Sequence, residues 1–425
     1  MFILKPFTKV FIFFSFKFVW GEALSDIIEK ELYGETVFKD EGKLSLDYVP
    51  PKLPHREEEL KILTRTFRPI IENPGKISPR IIIRGELGTG KTVLSKRFGL
   101  DFEKIALKQK INFKYIHVNC REEGTFYNIL KNILVKHFKR KSLPQRGYST
   151  QELLDFFVEN LDKNNFYVVM ALDELEALIK KEGGEPLFKL TRFYEDKPPN
   201  IPQRISLICI FREPECEEIF RLIDRSTLST LGFHILKLEK YKDYQLKDIL
   251  NQRVEEAFKE NTVLPETVEL IADLAGKYGD ARFAIELLWL AGKYADRKGS
   301  TKVQPEHVRA AQAYTHPTLK TEYLKMVGLH EKFLLLALAR LLKNIESAYV
   351  SIGEVEKEYR IVCEEFDEKP RAHTQTWKYI KNLSLMGMIS TKISGKGQRG
   401  KTTLIGLPFP SEKLEVEILK MLEKK

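Results

Sequence analysis

The chain carries the octapeptide Gly85-Glu86-Leu87-Gly88-Thr89-Gly90-Lys91-Thr92, which fits the pattern G-x-x-x-x-G-K-[ST] of a phosphate-binding loop, or P-loop. The β-branched run at 81–83 predicts a strand directly before it, and a helical pattern follows from Val93. A glycine-rich connection of this kind places backbone N–H groups at the positive end of a helix, where they bind anions. The octapeptide therefore predicts a loop that wraps the phosphates of a nucleotide.

Two side chains of the loop have specific expected roles. Lys91 is expected to reach the β- and γ-phosphates, and the Thr92 hydroxyl is expected to bind Mg²⁺. The predicted nucleotide contacts of the loop are Gly85, Gly88, Thr89, Gly90, Lys91, Thr92 and Val93.

An apolar run at 167–172 ends in two adjacent acids, Asp173 and Glu174. Carboxylates beside a buried strand are unfavourable unless a cation lies near them. Asp173 is therefore predicted to hold the metal together with Thr92, and Glu174 to polarise the water that attacks the nucleotide. With the P-loop, these acids predict an ATPase whose cofactors are ATP or ADP and Mg²⁺.

The wider pattern around these motifs predicts an α/β fold. Strand-like runs at 81–83, 113–118, 167–172, 205–211 and 233–238 alternate with helical patterns, which is typical of a parallel sheet covered on both faces. Residues 241–314 show helical periods without strand signals, and after Pro317 helices precede two short strands joined by a polar turn. These patterns predict a P-loop ATPase core, a helical lid and a C-terminal winged helix.

Domain boundaries follow from the same patterns, because a chain of 425 residues is too long for one compact core. We expect an N-terminal apolar segment and helix at 1–33, the ATPase core at 34–239, the lid at 240–315 and the winged helix at 320–425. Four scattered cysteines without a C-x-x-C pair favour a reducing, cytoplasmic location. A net charge of +10 favours an anionic partner.

The first twenty residues are almost wholly apolar but contain Lys5, Lys9 and Lys17. The longest run between these lysines, 10–16, is too short to span a bilayer of about 30 Å, although a membrane anchor is the open alternative. We expect no membrane association, and a native start near Val19, so that residues 1–19 precede the functional chain.

Three further stretches resemble the AAA+ ATPases. Among the AAA+ ATPases, these stretches resemble the archaeal replication-initiator family. That family is related to the large subunit of the eukaryotic origin recognition complex and to the helicase-loader cell-division-cycle protein. The stretches are Asp47-Tyr48-Val49-Pro50-Pro51-Lys52-Leu53-Pro54-His55-Arg56-Glu57, Asp173-Glu174-Leu175-Glu176-Ala177-Leu178 and Gly279-Asp280-Ala281-Arg282. The resemblance covers the chain from about residue 44 to its C-terminus.

This resemblance implies roles for residues outside the P-loop. It places the adenine beside Tyr48, Val49, Pro50 and Arg56, and it makes Arg282 a lid arginine that touches the γ-phosphate. It also makes Arg225 an arginine finger, although the expected Asp-Pro pair before a finger is replaced by Asp224-Arg225. The strand at 205–211 ends in Phe211-Arg212 where the family has a polar sensor such as Asn, so we expect hydrolysis to be slow or regulatory.

The C-terminal region is strongly basic over one stretch. Eight basic residues and no acidic residue lie between 369 and 401. The pattern at 371–383 predicts a recognition helix, and the polar turn after it predicts a wing tip that enters the minor groove. The predicted DNA contacts are Arg371, His373, Thr374, Gln375, Lys378 and Lys381 on the helix, and Lys396, Gln398, Arg399 and Lys401 on the tip.

A second basic cluster lies at 136–146 and includes Lys139 and Arg140. The family carries an additional DNA-contacting helical insertion near this position, so the resemblance implies a second contact with DNA. The alternative for this cluster is a charged loop that binds no ligand. The alternative for the basic stretch at 369–401 is a winged helix whose basic face is only solvated or binds protein.

These observations predict an ATP-binding protein that recognises double-stranded DNA at replication origins and takes part in initiation. Other initiator copies or the replicative helicase are expected as further partners, and a nucleoid-associated location follows. An ATP-responsive transcriptional regulator, or a repressor of initiation, remains an open alternative on the same scaffold. A nucleotide switch that acts on protein is a second.

Overall fold

The structure is a computed structural model that describes residues 28–29, 32–138, 147–195, 197–198, 200–232, 234–315, 321–394 and 402–423. Across these ranges, no helix combines the length and the apolar character needed to cross a membrane.

The first domain is built on a five-stranded parallel sheet with the strand order β2-β3-β4-β1-β5. Its central strands are buried on both faces, as the continuous apolar runs require, and Met170 and Ile208 are fully buried on opposite faces. The strands are β1 (Arg80–Gly85), β2 (Phe113–Asn119), β3 (Tyr167–Asp173), β4 (Ile205–Arg212) and β5 (Ile235–Leu238). Because the strands are parallel, their carboxyl ends meet at one edge of the sheet.

Ten helices accompany this sheet in the described part of the chain. The longest begins at Lys91, within the last two residues of the P-loop, and runs for 18 residues. The helices are α1 (Glu57–Phe67), α2 (Pro69–Glu72), α3 (Lys91–Lys108), α4 (Cys120–Glu123), α5 (Phe126–Phe138), α6 (Thr150–Lys163), α7 (Leu175–Glu182), α8 (Glu185–Arg192), α9 (Cys216–Leu222) and α10 (Arg225–Leu231).

The lid consists of four helices and a preceding segment of the chain. The helices are α11 (Asp243–Ala257), α12 (Pro265–Gly276), α13 (Ala281–Arg297) and α14 (Pro305–Thr315). Residues 36–49, here called the strap, cross the lid, and Val37 and Phe38 belong to its apolar core. A Cβ at Gly292 would lie 2.4 Å from the Phe38 ring, so α13 needs glycine there for the strap to pack.

Polar contacts also attach the strap to the lid. The Val37 N–H donates to Asp296 Oδ1 (2.8 Å), and the Lys39 N–H donates to the Ala257 carbonyl (2.7 Å). Glu41 accepts from Trp289 Nε1 (2.7 Å) and from Lys293 Nζ (2.6 Å). The strap is therefore part of the lid in space, although it precedes the sheet in sequence.

The C-terminal region is a winged helix, and in its described residues, 321–394 and 402–423, five helices accompany a three-stranded antiparallel sheet of order β6-β8-β7. Its apolar core includes Phe333, Val362 and Ile405. The elements are α15 (Thr321–Met326), α16 (Leu329–Asn344), β6 (Val350–Ser351), α17 (Ile352–Glu365), α18 (His373–Leu385), β7 (Ser390–Ile393), β8 (Thr403–Gly406) and α19 (Ser411–Leu422).

A buried arginine joins the lid to the winged helix. Arg309 on α14 has no exposed surface, and it donates to the carbonyls of Ala348 (2.9 Å) and Leu407 (3.3 Å) and to Glu306 (3.0 Å). Glu306 in turn accepts from the Ser411 N–H at 2.7 Å. Chains of hydrogen bonds among buried polar groups fix the relative position of the elements they join.

A second contact between these domains involves the wing strand. Lys392 on β7 pairs with Asp273 (2.9 Å) and with Glu269, both on α12, and its ammonium lies 3.9 Å from the centre of the Tyr349 ring. Lys392 belongs to the basic stretch found in the sequence, but its charge is neutralised by the lid. It therefore does not contribute to the exposed basic surface.

The predicted fold class, a parallel α/β ATPase sheet with a helical lid and a winged helix, is confirmed. The start of the recognition helix is corrected, because α18 begins at His373 and Arg371 precedes it. The Arg371 N–H donates to the Tyr359 hydroxyl (3.2 Å), and its Nε donates to His330 Nε2 (2.9 Å). These two bonds hold Arg371 outside the helix.

Candidate nucleotide site and winged-helix surface

The P-loop connects β1 to α3 and has the backbone that its glycines predict. Gly88 (φ 72°) and Gly90 (φ 87°) are both left-handed. A Cβ at Gly88 would also lie only 1.8 Å from Asp280 Oδ1 of the lid, so glycine is required there for space as well as for conformation. The lid touches the loop at this point, where the Ala281 N–H donates to the Gly88 carbonyl (3.1 Å).

Lys91 lies across the loop and donates from Nζ to the carbonyls of Gly85 (2.8 Å) and Glu86 (2.7 Å). Burial lowers the pKa of Lys91, and nearby Asp173 and Glu176 oppose that effect. A bound phosphate would compete for this ammonium with the two carbonyls, which are neutral and weaker acceptors.

Thr92 and Asp173 are adjacent, as predicted, because β3 and the start of α3 meet at the same sheet edge. The Thr92 hydroxyl donates to Asp173 Oδ2 (2.6 Å), and His117 Nε2 on β2 lies 3.1 Å from the same oxygen. Burial alone would raise the pKa of Asp173, but the hydrogen bonds from His117 and Thr92 outweigh it and lower that pKa. A hydroxyl and an ionised carboxylate side by side fit Mg²⁺, which prefers oxygen ligands.

Glu174 has a left-handed backbone (φ 50°, ψ 43°), which is strained for a residue with a side chain. Its carboxylate lies between two arginines, with Arg121 Nε 2.7 Å from Oε2 and Arg212 Nη2 3.2 Å from Oε1. Arg121 follows β2 and Arg212 ends β4. In this conformation both oxygens of the predicted base are engaged by cations.

A third carboxylate near the site, Glu176, was not assigned a role from the sequence. It is only 1% exposed, and in the part of the chain that the structure describes no side chain donates a hydrogen bond to its carboxylate. Burial is the largest influence on Glu176 and raises its pKa.

A cavity of about 530 Å³ opens between the P-loop, the strap, the strand ends and the lid. A volume in this range suits a small-molecule ligand of nucleotide size. Its lining includes Tyr48 and Val49 of the strap, Gly88, Gly90, Lys91, Thr92 and Val93 of the P-loop and its helix, His117, Asp173, Glu174 and Arg212 at the strand ends, and Arg253 and Arg282 of the lid.

Arg253 is a cavity residue that the sequence did not reveal. It lies on α11, is 6% exposed, and its guanidinium lies 4.8 Å from the centre of the Tyr48 ring. It also donates to the Lys43 carbonyl (3.3 Å), which joins the strap to the lid beside the cavity.

Several predicted nucleotide contacts support the loop from behind instead of lining the cavity. Arg56 is buried, donates to the carbonyls of Thr89 and Glu239 (3.0 Å each), and stacks on Tyr241. The Pro50 carbonyl accepts from Arg97 on α3 (3.4 Å). Gly85 and Thr89 likewise fall outside the described lining. Arg56 therefore holds the P-loop in place.

The two predicted arginines of catalysis lie in different surroundings. Arg282 lines the cavity at the start of α13, where Asp280 caps the helix by accepting from the N–H groups of Arg282 and Phe283. Arg225 is exposed at the first position of α10 and does not belong to the described cavity lining. The role of Arg225 as an arginine finger stays a prediction.

The predicted recognition helix, α18, carries an exposed basic face. Arg371 and, on the helix, Thr374, Lys378 and Lys381 are exposed at spacings of three, four and three residues. Gln375 is half-buried, and His373 is exposed but pairs with Glu356 on α17. Lys381 lies over Trp377, with 5.6 Å from its ammonium to the ring centre.

Six of the predicted DNA contacts lie outside the described residues. They are Lys139 and Arg140 in the second basic cluster and Lys396, Gln398, Arg399 and Lys401 at the wing tip.

Fold and site together define an ATPase of the AAA+ class, with a P-loop and acidic strand end in a parallel sheet, a helical lid over the cavity, and a winged helix attached to the lid. Residues 79–220 match the AAA domain family, residues 247–313 the Cdc6 AAA+ ATPase-type lid domain, and residues 322–417 the C-terminal winged helix domain of CDC6. The chain belongs to the family of ORC1-type DNA replication proteins, and the resemblance stated from the sequence is confirmed.

Relatives match the chain over most of its length. The ORC1-type DNA replication protein 2 of Sulfurisphaera tokodaii is 37% identical, with 93% of this chain and 95% of the relative covered. The ORC1-type DNA replication protein of Thermococcus kodakarensis is 34% identical, with 90% of this chain and 91% of the relative covered.

Two solved structures have the same architecture. Cdc6p of Pyrobaculum aerophilum superposes with a TM-score of 0.77 at 28% identity, covering 91% of this chain and 99% of that one. The Aeropyrum pernix ORC1 protein, solved in complex with DNA, superposes with a TM-score of 0.59 at 28% identity, covering 91% of this chain and 97% of that one.

Proposed function

We propose that this protein binds duplex DNA at replication origins through its winged helix and that ATP or ADP, bound with Mg²⁺ under the lid, controls this binding. The observation that carries the proposal is the exposed basic face of α18 in a domain joined by Arg309 and Lys392 to the lid of a nucleotide cavity. The family's role in DNA replication favours origins as the sites bound. A transcriptional regulator on the same scaffold would bind promoters instead.

Residues of the P-loop, the strap and the lid that line the cavity have distinct roles in nucleotide binding under this proposal. Lys91 and the backbone of the P-loop hold the phosphates, while Thr92 and Asp173 hold Mg²⁺, which would neutralise charge on the β- and γ-phosphates. Tyr48, Val49 and Arg253 lie where the strap and lid meet, and they are positioned to border the base. Arg282 reaches the cavity from the lid and is suited to report the γ-phosphate.

Slow or regulated hydrolysis follows from the state of Glu174. Arg212 donates a hydrogen bond to Oε1 and Arg121 forms an ion pair with Oε2, so neither carboxylate oxygen is free to orient an attacking water molecule. Arg121 and Arg212 would have to move before Glu174 could polarise a water molecule. Hydrolysis is therefore expected to wait for a rearrangement, such as the arrival of DNA or of a second copy that supplies Arg225.

Replacing Arg121 by alanine is expected to raise the rate of ATP hydrolysis about two- to fivefold, the range for losing one exposed ion pair. Arg121 is the more exposed of the two arginines, so its removal frees Glu174 with little effect on folding. The measurement is single-turnover hydrolysis of labelled ATP. Arg221→Ala, which removes an exposed arginine on α9, is the matched control, and a rate unchanged by Arg121→Ala would argue against restraint of Glu174.

The Arg371→Ala/Lys378→Ala double variant is expected to lose about tenfold or more of its affinity for duplex DNA, because two phosphate or base contacts are removed. The slope of the logarithm of the affinity against the logarithm of the salt concentration should also become less steep by about two, because about two fewer counterions are released on binding. ATP binding should be unchanged, since both residues lie in the winged helix. Lys357→Ala/Arg360→Ala removes the same charge from exposed positions on α17, and an equal loss there would mean that DNA responds only to net charge.

Mapping of chromatin-bound sites in cells tests the origin assignment. Wild-type peaks at replication origins that disappear in the Arg371/Lys378 variant support the proposal. Peaks confined to promoters would favour the regulator, and an absence of peaks would favour a nucleotide switch that acts on protein. Other initiator copies and the replicative helicase are proposed partners, and co-purification with origin-bound protein tests them.

A further inference from the structure

His330 is a buried histidine with both ring nitrogens engaged, although sequence analysis gave it no role. It lies on α16 and is 8% exposed. Its Nε2 lies 2.9 Å from Arg371 Nε, and its Nδ1 lies 2.8 Å from the Tyr359 hydroxyl. The ring also stacks on Tyr379 of α18, with ring centres 6.4 Å apart.

The chemistry of arginine decides the protonation state of this ring. A guanidinium donates hydrogen bonds and accepts none, so His330 Nε2 must carry a lone pair where it meets Arg371. The ring is then neutral with its hydrogen on Nδ1, and that N–H donates to the Tyr359 oxygen. The same oxygen accepts from the Arg371 backbone N–H at 3.2 Å.

Arg371 is thus held at two points, by its side-chain Nε and by its backbone N–H, although the residue is exposed. No acidic side chain in the described ranges forms an ion pair with it, and its two terminal nitrogens have no hydrogen-bond partner there. A long cationic side chain is normally mobile, and fixing it before a ligand arrives reduces the entropy lost on binding.

From this geometry we infer that His330, with Tyr359, positions Arg371 to contact DNA, and that protonation of His330 releases Arg371 and weakens that contact. The inference rests on the proposed function, because it deepens the role of the same DNA-binding surface. An imidazolium donates from both nitrogens, so it cannot accept from Arg371, and its positive charge would repel the guanidinium.

The surroundings of His330 set the pH range of this effect. The titratable and charged groups around it are Tyr359 on α17, Glu368 and Arg371 in the connection, and Tyr379 on α18. Cys363 on α17 lies beside the Tyr359 hydroxyl. Burial is the largest cause of a lowered pKa for His330, and Arg371 adds to it, whereas Glu368 opposes it. The neutral ring therefore persists below the ordinary value of about 6.5 and is lost as the pH falls through the lowered pKa.

The test compares the affinity of the full-length protein for a fluorescein-labelled duplex of mixed sequence, measured by anisotropy. At about pH 7.5, Arg371→Ala and His330→Leu are each expected to lose about fivefold, because leucine fills the space but accepts no hydrogen bond. The double variant should lose no more than Arg371→Ala alone, since His330 acts through Arg371. His330→Gln, whose amide oxygen can accept from Arg371, should retain wild-type affinity.

The pH profile separates positioning from a merely structural role. The ratio of the DNA affinity of wild type to that of Arg371→Ala should fall towards one as the pH falls to about 5. The ratio of the affinity of His330→Gln to that of Arg371→Ala should stay constant, because glutamine does not titrate. His307→Leu, a change at a buried lid histidine, is the matched control and should leave affinity unchanged. Melting temperatures recorded for every variant establish that each one is folded.

Additive losses in the double variant, or a pH profile of His330→Gln that follows wild type, would overturn the inference and leave the proposed function intact. Wild-type affinity in Arg371→Ala would overturn it in the same way. Failure of the wild-type protein to bind any duplex at low salt would remove the proposed function, and this inference with it.

Discussion

Glu174→Gln is expected to bind ATP as tightly as the wild-type protein and to hydrolyse it about 10² to 10⁴ times more slowly, the range for loss of a general base. Glutamine is nearly isosteric with glutamate and its amide oxygen can still accept from one of the two arginines, so the loop should keep its shape. Its amide cannot take a proton from water. The measurements are equilibrium binding of a fluorescent ATP analogue and single-turnover hydrolysis of labelled ATP.

Glu217→Gln on α9 makes the same chemical change at an exposed position and should leave both measurements unaltered. A normal rate in Glu174→Gln would mean that another group is the base, and the buried carboxylate of Glu176 is the nearest candidate on the same segment. Loss of ATP binding would instead mean that Glu174 mainly holds the site together through Arg121 and Arg212.

Arg309→Leu is expected to lower the free energy of unfolding by about 3–5 kcal/mol, the cost of removing one partner of a buried charge pair. Arg309 is fully buried, and Glu306 is mostly buried. Leucine would leave Glu306 and the carbonyls of Ala348 and Leu407 without the donor they now share. Because the chain has several domains, the unfolding of the lid and the winged helix in denaturant has to be measured separately from that of the sheet. Hydrogen exchange of the amides in these two domains is the probe.

Arg297→Leu is the matched control for that substitution, since Arg297 is an exposed arginine of the same lid and its loss should change stability by less than about 0.5 kcal/mol. A loss below about 1 kcal/mol for Arg309→Leu would indicate that water replaces the guanidinium between the two domains. A normal stability combined with weaker DNA binding would locate the effect of Arg309 in the orientation of the winged helix.

Local sequence patterns predicted the parts of the site that are contiguous in the chain. The P-loop and the Asp173-Glu174 pair each depend on a few neighbouring residues whose spacing is set by one loop or one strand end. The fold class followed for the same reason, because alternating strand and helix periods are properties of single segments.

The contacts of the site that the sequence did not predict depend on which distant segments the fold brings together. Arg121 and Arg212 contact Glu174 from the ends of separate strands, and Arg253 contacts Tyr48 from the lid. No spacing in the sequence predicts these contacts. The family resemblance placed Arg56 beside the base, whereas its burial behind the P-loop is decided by contacts with Tyr241 and the Glu239 carbonyl. The sequence likewise does not connect His330 to its partners, which lie 29 and 41 residues away.

The charge pattern of the winged helix predicted a basic region but not which of its basic side chains are exposed and unpaired. A count of basic residues treats Lys392 as part of a DNA-binding surface, yet its partners Glu269 and Asp273 lie more than a hundred residues earlier. Which cations remain available for phosphate is therefore a property of the folded arrangement.

The strap has a consequence for the order in which the protein forms during synthesis. Val37 leaves the ribosome early, but its partner Asp296 lies 259 residues later, and at ~5–20 residues per second it follows on the order of tens of seconds afterwards. Until then the apolar side chains of Val37 and Phe38 have no surface to cover. The nascent chain thus carries an exposed hydrophobic segment throughout translation of the ATPase core, which makes its early residues a natural binding site for a chaperone.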